Sequence, residues 1–482
     1  MSCRTYFLVW IAAILATPAV IADQKFRAGV AQVDVTPTKA MPMWGYGARH
    51  DLLSRGTRDP LYAKAVVIEA GNTKLAIVGL DLGRSLGEPH FSRILAAVKR
   101  SSGVELILMS GSHTHHGPVL ELKDAPGQGR GKFDDAVAYV SELEKKLIEV
   151  INDAAGKLQD ARVGWSSAQV DMNRNRHAKL DPKPRDTELA VIRVDDMTGK
   201  PLALIVNFAA HPTVLAGTDL RWSAEYPGAM MKTVEATLNT RCIFMQGAAG
   251  DMSAQTIAAD SLSSDDPSLA DDALDPELAS VLKVTLKIGD DEVKKLQQDM
   301  ISSGHRMESF GRRLGEEVIR IAKDCETKSP AKPSIAGKYE RIDFESRVDF
   351  RSIALRALFS IGFFPELAAA ASAEQQDNKI HAALTTVLLN GELALVGGSG
   401  EFFCEHSNRL KERSYATKTL FFGYCNGHNM YFPTIEAASQ GGYGADAQMS
   451  WVELGAGERM MNQALINIFT MQGKLSKSPL AP

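Results

Sequence analysis

Apolar runs short enough to be strands alternate along this chain with longer amphipathic runs, and no other feature limits its fold as strongly. Strand-like runs cover Lys64–Glu69, Leu75–Leu80, Glu105–Met109, Leu202–Asn207, Cys242–Met245, Thr385–Leu389, Leu393–Val396 and Thr419–Gly423. Largely aliphatic runs of this length, bounded by turn residues, suit strands covered on both faces. Helical periodicity covers Ser92–Lys99, Ala136–Lys157, Tyr226–Leu238, Phe310–Lys323, Glu401–Glu412 and Gly457–Phe469. In the Phe310 run, Leu314, Val318 and Ile321 share one face and charges take the others. The pattern predicts an α/β fold with a mixed β-sheet core flanked by helices. Neither an internal repeat nor a Pro/Gly linker interrupts residues 23–482, which are expected to form one large domain.

Three segments depart from that alternation. Arg4, the uncharged run Tyr6–Val20 and the small residues around Ala22 make residues 1–22 read as a cleavable secretory signal, which predicts a secreted or periplasmic protein starting near Asp23. The apolar run is short for a membrane span. Residues 258–299 are rich in Asp, Ser and Leu without a period, and read as a surface insertion, helical in part near Asp291–Asp299. Ile353–Ala373 is apolar but broken by Arg356, Pro365 and Glu366, which suits a buried or interfacial helical region. Within it Leu355–Phe364 concentrates large apolar side chains, whose ordinary place is the core. The other place for them is beside a cleft, where they would receive an acyl chain or touch a lipid surface.

Charge is nearly balanced, 54 Lys and Arg against 58 Asp and Glu, so no basic footprint for nucleic acid exists. Cys242, Cys325, Cys404 and Cys425 follow the signal without a CxxC spacing, which excludes a cysteine-ligated zinc site of the usual kind. An exported chain can keep disulfides, but no pairing follows from these positions.

Polar elements sit directly after four of the apolar runs. His113, His115 and His116 follow Glu105–Met109, and His211 follows Leu202–Asn207. Gly247-Ala-Ala-Gly250-Asp251-Met-Ser253 follows Cys242–Met245, and Gly397-Gly-Ser-Gly400-Glu401 follows Leu393–Val396. Each has an ordinary reading: loop histidines, a loop His before Pro, Asp251 and Ser253 capping a following helix, and Glu401 in the first turn of a helix. Together they place two or three imidazoles and a carboxylate at strand ends that can open on one cleft. Two His and one Glu match the ligand set of an open, catalytic zinc site.

In order along the chain these motifs resemble those of the neutral/alkaline ceramidases. The matching elements are Ser112-His-Thr-His-His-Gly-Pro118, Asn173-Arg174, Phe208-Ala-Ala-His211-Pro212, Gly250-Asp-Met-Ser253, Gly400-Glu401, and Tyr431 with Tyr443 twelve residues later. Ala28-Gly-Val-Ala-Gln-Val-Asp-Val-Thr-Pro37 is similar to the opening of that family's catalytic domain, so the likeness runs from about residue 26 to 445. His116 stands where the family has Ser, and Met252 and Ala254-Gln255 depart from its GDVSPN pattern. The chain ends soon after the last motif, so the expectation is a catalytic domain without the family's C-terminal immunoglobulin-like domain.

The resemblance implies one zinc ion per chain, held by His113, His211, Glu401 and Tyr431. It lines the site with His115, Arg174 and Tyr443, and adds Asp251 and Ser253, the latter either contacting substrate or acting as a nucleophile. It implies hydrolysis of an N-acyl amide, with ceramide cleaved to sphingoid base and fatty acid as the leading case and another, non-sphingolipid amide as the alternative. Peripheral membrane contact fits such a substrate. Two other metal-site patterns fail here: the further His and bridging Lys or Asp of amidohydrolase-like enzymes are not found, and the run after His113 lacks the DH of HxHxDH. A non-catalytic binding protein of degenerate ceramidase fold would be expected to lack ligands, yet residues for all four are present.

Overall fold

The computed structural model describes residues 25–177, 182–257, 279–280, 283 and 288–475. The expected signal segment and most of the 258–299 segment lie outside these residues. The chain opens with β1 (Phe26–Asp34), β2 (Tyr62–Ala70) and β3 (Thr73–Leu80), then α1 (His90–Ser102) and β4 (Val104–Gly111). A small pair, β5 (Lys123–Pro126) and β6 (Gly129–Arg130), precedes α2 (Asp134–Gly156). Next come β7 (Gln159–Gln169), β8 (Asn173–Asn175), β9 (Glu188–Asp196), β10 (Pro201–Phe208), α3 (Glu225–Leu238), β11 (Arg241–Gln246) and β12 (Met252–Ala254). After α4 (Asp290–Lys323) and β13 (Ile335–Glu345) lie two short helices, α5 (Ile353–Gly362) and α6 (Pro365–Glu374). The chain continues through β14 (Lys379–Leu389), β15 (Leu393–Gly398), β16 (Glu401–Phe402), α7 (Cys404–Arg413) and β17 (Lys418–Phe422). It closes with β18 (Tyr431–Phe432), α8 (Ile435–Gln440) and α9 (Ala456–Met471).

Two sheets face one another. The larger has eight strands in the order β11-β10-β9-β7-β1-β2-β3-β4, and the smaller has four, β13-β14-β15-β17. Within them β3 and β4, β10 and β11, and β15 and β17 run parallel, and the other neighbours are antiparallel. Alternation of side chains along each strand divides the core. Val66, Ile68, Leu75 and Ile77 of the large sheet meet Val387, Leu389, Leu393, Leu395, Leu420 and Phe422 of the small one. The intervening residues Ala65, Val67, Ala76 and Val78 turn to the other face and pack on α1 and α2. Likewise Ala394, Val396 and Phe421 face α9, while α3 and α4 cover the β9–β11 end. The strands with both faces covered are those with the continuous aliphatic runs. The expected mixed β core flanked by helices forms, divided between two facing sheets.

β1, β7, β9 and β13 lie outside the expected strands, although Leu189–Ile192 of β9 is an aliphatic run buried on both faces. In β13 most side chains are exposed, and β7 is half-buried along much of its length, so neither carries a long apolar run. The periodic stretch from Phe310 is the C-terminal part of the much longer α4, whose first turns start inside the expected insertion and bury Val293 and Met300. The core assignment of Leu355–Phe364 fails for most of that run. No residue of α5 is buried, and only Phe364, beyond the helix, is.

Leu395 is fully buried between the two sheets. Leu395→Ala should therefore lower the unfolding free energy by about 2–5 kcal/mol, the range for a cavity in a packed core. Urea unfolding followed by circular dichroism measures it.

Candidate metal centre

The three parallel strand pairs bring their carboxyl ends together, and the polar loops leave from there. Beyond β4, His113 takes a left-handed backbone (φ 71°), its N–H donates to Leu82 O (3.0 Å), and its Nδ1 faces Gly83 O at 2.9 Å. Beyond β10, His211 donates its backbone N–H to Met252 O (3.0 Å), and its Nδ1 lies 2.5 Å from Ala249 O. Beyond β15, Glu401 lies on β16 in register with Tyr431 of β18. The helix that follows starts only at Cys404, so Glu401 is a strand residue and not the helix-start residue read from sequence. Beyond β17, the loop from Gly423 to Met430 carries Tyr424 and His428, with Tyr424, Asn426 and Met430 at φ 55°, 57° and 59°. Asn tolerates that conformation, whereas Tyr, Met and His113 hold it at a cost of about 1 kcal/mol or more each. Asn426 repays some of this by accepting from Met109 N (3.0 Å) and donating to Ile107 O (2.8 Å), which ties the loop to β4. A side chain at Gly250 would put its Cβ 2.4 Å from Glu401 O, so only glycine lets these loops approach.

With Nδ1–H held on a backbone carbonyl, each of His113 and His211 presents a bare Nε2 lone pair. Those two atoms are 3.0 Å apart, and Glu401 Oε2 lies 3.4 and 3.2 Å from them. Ligand atoms on a tetrahedral ion with bonds of about 2.0–2.1 Å stand about 3.3 Å apart. Glu401 Oε2 is buried without a hydrogen-bond partner. Converging lone pairs, an unsatisfied carboxylate oxygen and this spacing fit a divalent cation. His115 Nε2 is 3.5 Å from His113 Nε2, close enough to join the set. His428 Nε2 bonds the outer oxygen Oε1 of Glu401 at 3.1 Å and so fixes which oxygen points inward. Arg176 Nη2 donates to His211 Nε2 (3.0 Å), a contact that ligation would replace, and to Gly250 O (3.0 Å) and Tyr431 Oη (3.2 Å).

The remaining sequence candidates fall in different places. Tyr431 is buried beside the cluster, its ring stacked 6.4 Å from that of His211. Tyr443 lies on the rim, 60% exposed, with its ring edge-on to Tyr431. Arg174 is not brought to the centre. It pairs with Ser253 across β8 and β12 and is exposed, while Arg176, two residues on and also exposed over much of its surface, reaches His211 with its Nη2. Asn173-Arg174-Asn175-Arg176 contains the Asn-Arg pair twice, and only tertiary contacts decide between them. Asp251 is also set back. Its carboxylate accepts from Asn175 Nδ2 and from Cys404 N, both at 2.7 Å, so it caps α7 rather than a helix of its own. Ser253 forms a bridge with His211 and is half-buried. His116 points away from the cluster to Arg49, which donates to His116 Nε2 (2.8 Å) and to His115 O (2.5 Å). His428, Arg176, Trp44 and Tyr424 have no place among the sequence candidates. His428 carried the same signal as the others, a polar residue shortly after an apolar strand.

Above the cluster opens a pocket with a polar floor and apolar walls. Its floor includes His113, His115, Glu401, His428 and Tyr431, and its walls include Trp44, Phe359, Phe363, Phe364, Leu367 and Trp451. Trp44 packs edge-to-face with His113, His115 and His428, ring centroids 4.9, 5.2 and 5.6 Å apart, while its Nε1 donates to Glu121 (2.8 Å).

Comparison with known proteins agrees with this architecture. Residues 26–274 match the family model described as neutral/alkaline non-lysosomal ceramidase, N-terminal. Neutral ceramidase A of Dictyostelium discoideum is 25% identical over 224 residues, which cover 43% of this chain and 31% of that protein. Neutral ceramidase B of the same organism is 26% identical over 133 residues, 25% of this chain and 18% of that protein. The matched stretches thus span less than a third of either relative. The crystal structure of neutral ceramidase from Pseudomonas aeruginosa superposes with a TM-score of 0.67 at 16% identity, covering 95% of this chain and 77% of that one. At that identity the likeness is one of fold.

Burial sets the charge state of the imidazoles. It lowers the pKa of His211 to about 3, with help from Arg176 and His113, and that of His116 to about 3, with help from Arg49. It holds His115 well below the ordinary histidine range, with His113 adding to the effect. For Glu401 burial pushes the other way, but His113, His211 and His428 outweigh it and keep the carboxylate ionised well below its usual range. Below the unfolded histidine pKa of about 6.5 the unfolded chain therefore binds more protons than the native one. The contribution of these histidines is complete above that pH and falls as pH drops from it towards 3, by up to about 1.4 kcal/mol per unit for each. Buried Asp81 and Glu225, both raised to about 7 by burial, act in the opposite sense, so the histidine effect is read as a difference. In chelator-treated protein the urea midpoint of the wild type relative to His116→Asn should be constant from pH 8 to about 6.5 and fall from there to about pH 5.

Proposed function

This chain belongs to the neutral/alkaline non-lysosomal ceramidase family, and on that premise we propose that it is a zinc-dependent hydrolase of N-acyl amides with ceramide as its substrate. The observation that carries the reading is the meeting of His113 Nε2, His211 Nε2 and Glu401 Oε2 within 3.4 Å of one another, with His113 and Glu401 on the floor of an apolar-walled pocket. Tyr431 would complete the ligand set from its place opposite Glu401 on β18. A zinc ion held there supplies Lewis acidity towards the amide carbonyl and towards the attacking water.

Water adds to the carbonyl carbon and the C–N bond breaks, leaving a carboxylic acid and an amine. His115, neutral at pH 7 because of its burial, offers a basic nitrogen beside the cluster for the water's proton and can return it to the departing nitrogen. Tyr443 at the rim can donate its hydroxyl to the carbonyl oxygen as negative charge builds there. Arg176 adds positive charge on the same side and holds Tyr431 in place. Trp44, Phe363 and Leu367 offer the acyl chain a dry wall. Each CH₂ placed there gains about 0.8 kcal/mol over water.

Purified protein should contain about one zinc per chain. His113→Ala and His211→Ala should lose zinc and activity together, whereas Tyr443→Phe should keep the zinc and lose kcat by about 10²-fold, as for removal of one oxyanion donor. Plasma emission spectrometry beside turnover assays decides, and full zinc retention in the doubly substituted His113→Ala/His211→Ala protein would refute the ligand assignment.

Substrate choice is read by a chain-length series of N-acyl sphingosines. kcat/KM should rise by about three- to fourfold per added CH₂ until the wall is filled. Phe363→Asp should flatten that slope without loss of zinc. Equal rates on short soluble amides, with none on ceramide, would keep the zinc chemistry and reject the lipid.

A further inference from the structure

Helix α5 lies at the mouth of this pocket with its apolar face turned to solvent. Ile361 is 78% exposed and Ile353 77%, the two most exposed large aliphatic side chains among the described residues, and Leu358 on the same helix is 59% exposed. At 100° per residue, Ile353, Ala357, Ile361, Ala354 and Leu358 fill an arc of about 140°. The opposite side carries Leu355 and Phe359, which are half-buried.

The helix is seated from below. Phe359 packs against Phe350 and Trp451, with ring centres 6.4 and 5.5 Å apart, and His50 Nε2 lies 3.4 Å from Ser360 O near its C-terminal end. Phe359 and Trp451 are also pocket walls, as are Phe363 and Phe364 directly after the helix. The exposed arc is thus continuous, through Phe359 and Phe363, with the apolar wall that leads to His113 and Glu401. Charge points to the occupant. Arg356 is the one ionisable residue of α5, and among the described residues it has no acidic partner.

We propose that α5 is a lipid-docking helix that sits in the plane of an anionic bilayer surface and sets the pocket mouth against it. An exposed apolar arc of this width would bury itself at the boundary of headgroups and acyl chains, with Arg356 reaching a phosphate. With ten residues α5 is too short to cross a bilayer, so its contact lies at the surface. The proposal rests on the lipid-amide reading for its purpose. A long acyl chain that enters over α5 moves from bilayer to pocket wall without crossing water.

The test uses the full-length, zinc-loaded protein and substrate-free vesicles, either of phosphatidylcholine alone or of phosphatidylcholine mixed with phosphatidylglycerol. The wild type should sediment with the mixed vesicles. The protein with Ile353→Ser, Leu358→Ser and Ile361→Ser should lose at least about tenfold in partitioning. Arg356→Glu should weaken binding to the mixed vesicles and leave the weaker binding to phosphatidylcholine unchanged. Both variants should keep the wild-type rate on a short, soluble N-acyl amide, which also shows that they fold. Equal sedimentation of the triple variant and the wild type would overturn the proposal. So would a wild-type dimer that the triple variant dissociates without any vesicle binding, since α5 would then cover a second copy of the chain. Vesicle binding through α5 with no amide hydrolysis would sink the hydrolase reading alone. Hydrolysis of long-chain amides without vesicle binding would sink the docking helix alone.

Discussion

Two imidazole nitrogens and a carboxylate oxygen meet in a buried spot with no proton of their own to share, and the surrounding structure is arranged to hold them there. Lone pairs 3.0 Å apart repel, and Arg176 Nη2, donating to His211 Nε2, relieves only one of them. They stay together because Gly83 and Ala249 hold the far sides of the two rings, and because His428 pins the outer oxygen of Glu401. Each of those groups sits on a different loop, so the spot requires the carboxyl ends of β4, β10, β15 and β17 to stay in fixed register. The sheet-to-sheet core beneath, with Leu395, Val387 and Leu420 against Val66 and Ile77, supplies that register.

Loops that approach so closely must also satisfy their own backbone groups. Asn426 does this for β4, Gly250 N donates to Phe402 O (2.8 Å), and Asp251 caps α7 while its backbone carbonyl accepts from Arg176 N (2.8 Å). Asp251 is therefore important without touching the cluster. Its removal would loosen Asn175 and α7, and through Arg176 would be felt at His211. Arg49 plays a similar part on the other side, where its buried guanidinium ties the His115 carbonyl to the Gly217 and Asp219 carbonyls.

The pocket combines two environments that rarely share a wall. Trp44 separates them, with its ring edge against three imidazoles and its N–H on Glu121. Arg84 bonds the same Glu121 oxygen (2.8 Å), so the polar side of the wall is satisfied. A site of this kind suits a substrate with one reactive polar group on a long apolar body.

Most strands covered on both faces were legible in the sequence, because burial on both sides demands an unbroken aliphatic run; β9 is the exception. The sequence also marked His113, His211 and Glu401, each directly after such a run. Strands with one open face, such as β13, left little trace, and the sequence left α5 open between the core and a lipid-facing place, because composition records that side chains are apolar and not which side of them meets water. Tertiary structure alone decided that Arg176 and not Arg174 enters the site. The two arginines are two residues apart, so strand alternation alone would put both on one side; Arg176 follows the end of β8, and the bond from its N–H to Asp251 O (2.8 Å) turns it towards His211. Tertiary structure decided too that His428 joins Glu401, since a loop's reach depends on strands far away in sequence, β4 and β11, that hold it in place.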